Sequence, residues 1–133
     1  MKRKKVLSIL LIALNTNLVA QYAPFEVSLS VLDRIVINEL LPKKASFATW
    51  KIINDLRNEL APTEAELKQL DLRDNPDGSG VIGNWNAVPE KKIVFGESAQ
   101  KMIVDALKEL DNKGELSSEH LTVYKKFVIK ENE

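Results

Sequence analysis

Three glycines, Gly78, Gly80 and Gly83, form the pattern G-x-G-x-x-G in this sequence of 133 residues. In dinucleotide-binding folds the pattern follows a strand and opens a helix, so that the backbone can approach a pyrophosphate at the helix N-terminus. Here the glycines follow the turn-forming stretch DNPD and lead into GNWN, which has the residue types of a strand. We therefore expect a turn at these glycines and no bound cofactor.

The same loop carries oxygen ligands, but their spacing does not fit a calcium site. If Gly78 takes the sixth position of a calcium loop, Arg73 occupies the first ligand position and Asn84 the twelfth, where a bidentate acid is required. Cysteine is absent and His120 is the single histidine, which excludes thiolate catalysis and zinc–thiolate sites. We expect no metal site, no catalytic residues and no enzymatic activity, because no nucleophile, base and orienting group can be assembled.

Charge is distributed unevenly along the chain. The whole sequence has 19 basic and 19 acidic residues, but four basic residues and no acid lie in residues 1–21. This leaves 15 against 19, a net charge of −4, for residues 22–133. A mildly acidic domain does not attract DNA or anionic membranes nonspecifically, so we do not expect nucleic acid as a partner.

The first 21 residues, MKRKKVLSILLIALNTNLVAQ, have the features of a signal peptide: a basic start, an apolar run and a small residue, Ala20, before Gln21. The apolar run, Val6 to Leu14, is shorter than the roughly 20 residues that a membrane-spanning helix needs, so we expect no stable anchor. The pattern favours export with cleavage of this leader. The alternative is a cytoplasmic bacterial protein in which the segment folds, and the intact mass from the native host would distinguish the two.

Apolar residues recur at spacings of three and four in five later segments, which predicts five helices. Ser30 with Asp33, and Thr63 with Glu66, form capping boxes, and Gly114 is placed to end a helix in the left-handed conformation. We expect the helices to begin after Ser30, Ser46, Thr63, Gly96 and Ser117. The apolar face of the first should consist of Leu32, Ile35, Val36 and Leu40.

Between the helices, VIGNWNAV (81–88) and KKIVF (91–95) are short, β-branched and aromatic, and are predicted to form a hairpin or two strands of a small sheet. The order of helices, β unit and helices favours an α+β fold over a parallel α/β sheet. We expect one domain over residues 25–130, with about five helices packed on a small antiparallel hairpin or sheet.

Trp50 and Trp85 are the residues that we expect to anchor a protein interface, because large aromatic side chains dominate binding hot spots. Packing in the core is the alternative for both. A second hypothesis is a winged-helix nucleic-acid-binding protein whose recognition helix would be KASFATWKIINDLRNEL. That helix carries Lys51 and Arg57, but also acidic residues that would oppose phosphates.

Three stretches together resemble a group of small uncharacterised proteins of bacteriophage and prophage genomes. They are LSVLDRIVINELLPKKASFATWKIINDLRNEL, then GNWN, then KKIVFGESAQKMIVDALKELDNKGELSSEHLTVYKKF, within residues 25–130. The resemblance carries no catalytic residues and implies an accessory protein that acts inside an infected or lysogenic bacterium. Our leading hypothesis is therefore a non-enzymatic protein-interaction module with an unidentified protein partner, and its oligomeric state is open.

Overall fold

A computed structural model describes residues 23–131; the predicted leader, residues 1–21, lies outside this range. Strand β1 (Phe25–Leu29) is followed by helices α1 (Val31–Leu40), α2 (Phe47–Leu60) and α3 (Glu64–Leu70). A short hairpin, β2 (Arg73–Asp74) and β3 (Val81–Ile82), and a 3-10 turn (Trp85–Ala87) lead to β4 (Lys91–Phe95). Helices α4 (Glu97–Asn112) and α5 (Ser118–Tyr124) follow, and a π-helical segment (Lys125–Ile129) continues α5.

The α+β class is confirmed: five helices in residues 23–131 and a small antiparallel sheet form one domain. Both capping boxes are present. At α1, the Asp33 N–H donates to Ser30 Oγ (3.0 Å) and the Ser30 N–H donates to Asp33 Oδ2 (3.2 Å). These bonds satisfy N–H groups that have no partner inside the helix. Leu41 precedes a proline and is extended (ψ 144°), which ends α1 as expected.

The prediction of a hairpin between 81–88 and 91–95 is wrong, although each range does contain a strand, and the two strands belong to different two-stranded sheets. Strand β4 pairs antiparallel with β1, so that Phe25 lies opposite Phe95, and β3 pairs with β2. Most of GNWNAV forms the 3-10 turn and its flanks. Pairing with β1 lets Ile93 and Phe95 enter the main core, whereas β2 and β3 are exposed along their whole length. The burial of apolar side chains therefore selects the long-range partner.

The main core lies between the β1–β4 sheet and helices α1, α2, α4 and α5. Two phenylalanine rings, Phe95 and Phe127, are fully buried and stack edge to face with centroids 5.0 Å apart, and the partly buried Phe25 packs against them, 5.5 Å from Phe127. Other fully buried members are Leu29, Ile37, Ile53, Ile103, Leu107 and Val123. The inner face of α1 is rotated from its predicted position, because Leu32 is exposed while Asp33 and Arg34 are buried.

Gly114 ends α4 in the left-handed conformation (φ 68°), which confirms the prediction. The Glu115 N–H donates to the Leu110 carbonyl (2.8 Å) and the Gly114 N–H to the Asp111 carbonyl (3.0 Å), the two bonds of a Schellman motif. We expect Gly114→Ala to lower the free energy of unfolding by about 1 kcal/mol, because a Cβ is disfavoured at this φ. Gly114→Asn should cost less, since asparagine tolerates this region. Urea denaturation measures both, and equal stability of the alanine variant and the native protein would contradict this account of the helix end.

Candidate functional site

The two tryptophans of the sequence prediction pack against different apolar clusters. Trp50 on α2 is half-buried against the main core. Trp85, in the 3-10 turn, is half-buried against a smaller cluster of Val31, Leu70 and Val88. Both side chains therefore contribute to packing, and each keeps part of its surface in solvent.

An aromatic and cationic surface runs along α2 beside Trp50. Phe47 begins the helix with 78% of its surface exposed, the most exposed large apolar residue described. Lys51 Nζ lies 5.6 Å from the centroid of the Phe47 ring, and the Arg57 guanidinium carbon lies 5.6 Å from that of Trp50. Spacings of three, four and seven residues place these side chains on one side of the helix. We call Phe47, Trp50, Lys51 and Arg57 the aromatic face of α2.

Lys126, in the π-helical segment, is the centre of a group of charges. Its Nζ donates to Asp33 Oδ2 (3.0 Å), to the Ser28 carbonyl (2.8 Å) and to Glu90 Oε1 (3.1 Å). The ammonium has three protons, so these bonds use all of its donors. Burial opposes its charge, but the hydrogen bonds and Coulombic attraction of Asp33 and Glu90 outweigh this and hold the pKa of Lys126 above its ordinary value. Lys126 is therefore a charged structural link between β1, α1 and the segment before β4.

A groove with a volume of about 380 Å³ lies beside Lys126. Its lining includes three glutamates and two lysines, namely Glu26, Glu90, Glu131, Lys125 and Lys126. This mixture of charges has no preference for one sign of ligand, and the bonded Lys126 ammonium is not available as a nucleophile. The groove has the size of a small-molecule site, but its lining does not supply a catalytic arrangement.

A second ion pair joins α1 to α3. The Arg34 guanidinium, which is fully buried, makes two hydrogen bonds to the Glu66 carboxylate; Nη1 lies 3.1 Å from Oε1, and Nη2 contacts Oε2. Glu66 also accepts the Thr63 N–H in the capping box of α3 (3.0 Å). Hydrogen bonds from Arg34 lower the pKa of Glu66 from 4.5 to about 2, against the effect of burial. The capping motif identified Glu66 in the sequence, but only the structure shows its partner.

The remaining candidates from the sequence have local structural roles. His120 Nδ1 accepts the Ser117 N–H (2.9 Å) at the start of α5. Gly78 and Gly80 have positive φ (78° and 125°) in the turn of the β2–β3 hairpin, as the turn prediction required. In residues 23–131, no three histidine, aspartate or glutamate side chains converge to hold a metal ion.

None of the helices in residues 23–131 combines the length and apolar composition that crossing a membrane requires. No protein-family model matches the chain, and comparison with curated proteins and with solved structures gives no match. The surfaces and charges described above are therefore the basis for assigning a function.

Proposed function

We propose that this protein is a non-enzymatic protein-interaction module that binds its partner through the aromatic face of α2. The observation that carries the proposal is the exposure of Phe47 at the head of a helix, next to the half-buried Trp50 and Arg57. Burying a phenylalanine side chain contributes about 1.5–3 kcal/mol, and Trp and Arg are enriched in binding hot spots. Trp50 packs against the main core and Arg57 is half-buried beside it, so less side-chain entropy is lost when they bind.

The charge of this face indicates the chemistry of the partner. Lys51 and Arg57 are both cationic, while residues 22–133 as a whole carry a net charge of −4. A protein with an apolar pocket for Phe47, bordered by carboxylates, would complement the face in shape and in charge. The resemblance to phage and prophage proteins supports a bacterial host protein or a phage protein as this partner.

The winged-helix alternative receives less support. It required a hairpin formed by 81–88 and 91–95 next to the recognition helix, and in the described part of the chain 91–95 pairs with β1 instead. The aromatic face of α2 belongs to the folded domain, so an exported protein and a cytoplasmic one would both present it to a partner.

We expect Phe47→Ala to weaken partner binding by about tenfold or more, the effect of losing a hot-spot side chain. The full-length protein is used to capture partners from host and phage-infected lysates, and the captured proteins are quantified by mass spectrometry. A purified candidate is then titrated to obtain its Kd. Because the Phe47 ring is exposed, the melting temperature should hardly change.

Leu121→Ala is the matched control, since Leu121 is an exposed apolar residue (51%) on α5. The proposal predicts a partner that is lost with Phe47→Ala and retained with Leu121→Ala. Equal capture by both variants and the native protein would refute a binding role for the aromatic face.

A further inference from the structure

The hydrogen bonds of β1 show which backbone groups of the sheet point outward. The Ser28 carbonyl accepts from Lys126 (2.8 Å) and the Ser30 N–H donates to Asp33 (3.2 Å), so both groups point away from β4. In an antiparallel pair, hydrogen-bonded and non-hydrogen-bonded residue pairs alternate. The hydrogen-bonded pairs of this ladder are therefore Phe25–Phe95, Val27–Ile93 and Leu29–Lys91.

It follows that the N–H and C=O groups of Lys92 and Val94 point away from β1, at the outer edge of β4. The two edges of the sheet differ. Within residues 23–131 no third strand joins either edge, but at the β1 edge Lys126 occupies the Ser28 carbonyl. Val94 is 57% exposed, and Lys91 and Lys92 are exposed beside it.

We propose that the outer edge of β4 binds an extended segment of a protein partner as a third strand of the sheet, and that this segment carries acidic residues beside Lys92 and an apolar residue beside Val94. Strand addition uses the outward backbone groups for affinity and the alternate side chains for specificity. Lys92 supplies the charge complementarity. Its contact with Glu26 is long (3.9 Å) and exposed, and such a contact contributes little, so an incoming carboxylate can replace it.

A second copy of this chain fits the edge less well. Symmetric antiparallel pairing of two β4 strands about Ile93 would place Lys92 opposite Val94 of the other copy, and the two Lys92 side chains would be diagonal neighbours on one face. Long side chains reach each other at this diagonal spacing, so the two ammonium groups would repel each other. An acidic segment removes this repulsion, and for that reason it is the occupant that we favour.

This inference goes beyond the proposed function, since it concerns a different surface and does not depend on Phe47. The test uses two synthetic eight-residue peptides titrated into isotopically labelled full-length protein, one with the sequence Glu-Thr-Val-Thr repeated twice and one with Lys-Thr-Val-Thr repeated twice. In each peptide a charged residue and a valine alternate along one face of the added strand, as Lys92 and Val94 do on β4. We expect the acidic peptide to bind about fivefold to tenfold more tightly than the basic one. It should also slow amide exchange at Lys92 and Val94 by about tenfold, with little change at Glu26 on the other edge.

Two variants sharpen the test. Val94→Pro removes an outward donor and leaves the ladder with β1 intact, because the Val94 N–H does not point at β1; it should abolish the protection of Lys92 by the peptide. Lys92→Glu keeps the backbone unchanged and should make the protein bind the basic peptide more tightly than the acidic one. This variant provides the test if the proline variant does not fold. Equal binding of the two peptides, failure of both to bind, or protection at Glu26 instead of Val94 would overturn the proposal. Self-association that protects Lys92 and Val94 without peptide would also overturn it, in favour of a second copy.

Discussion

Replacing Glu66 by glutamine is expected to lower the free energy of unfolding by about 3–5 kcal/mol, the cost of leaving a buried charge without its partner. Arg34 is fully buried and its guanidinium contacts both oxygens of the Glu66 carboxylate. Glutamine is accepted at this position of a capping box, so the start of α3 should be preserved and the loss should report the ion pair. Urea denaturation at neutral pH measures the change.

Glu64→Gln is the matched control, because Glu64 lies in the same first turn of α3 and is exposed. The same chemical change there should cost less than about 1 kcal/mol, the limit for an exposed charge near a helix N-terminus. Similar losses of unfolding free energy in the two variants would show that the Arg34–Glu66 contact contributes no more to stability than an exposed charge does.

The dependence on pH provides a second measurement of the same pair. The pKa of Glu66 is lowered from 4.5 to about 2 in the folded protein, so the unfolded chain takes up its proton first as the pH falls. The contribution of Glu66 is fully present above pH 4.5 and is lost as the pH falls towards 2. The shift corresponds to about 3 kcal/mol. The Glu66→Gln protein should lack this part of the acid-dependent loss of stability.

Lys126→Met is expected to produce the other large loss, about 3 kcal/mol or more. Methionine retains most of the apolar stem but leaves Asp33, which is buried, without its counter-charge and the Ser28 carbonyl without its donor. The sign of the pH effect is opposite to that of Glu66. Because the pKa of Lys126 is raised, its contribution is present below pH 10.5 and is lost as the pH rises through the folded pKa.

Lys125→Met tests whether this loss depends on position. Lys125 is the preceding residue of the same π-helical segment and is exposed, so its replacement should change the unfolding free energy by no more than about 0.5 kcal/mol. Thermal and urea unfolding of the two variants would be compared. Equal stability of the Lys126→Met and native proteins would show that the three bonds of Lys126 do not persist in solution.

The ends of the helices could be predicted from the sequence because their determinants are local. Ser30 and Asp33, Thr63 and Glu66, and the glycine at 114 act on backbone groups within one turn, so their effect needs no knowledge of the rest of the fold. The turn at Gly78 and Gly80 was predicted for the same reason. The α+β class followed from the order of these elements.

Only the tertiary structure decided which strands pair and which charges are buried. Strand β1 lies more than 60 residues before β4, and nothing in FEVSL or KKIVF identifies the other as its partner. Arg34 and Glu66 are 32 residues apart, and Asp33 and Lys126 are 93 residues apart. In the sequence, Lys126 is one of two adjacent lysines with the same chemistry; the fold partly buries the side chain of Lys126 and leaves that of Lys125 in solvent. A local sequence pattern reflects the conformational preference of a residue. Burial and ion pairing depend instead on the long-range contacts that surround the residue in the folded protein.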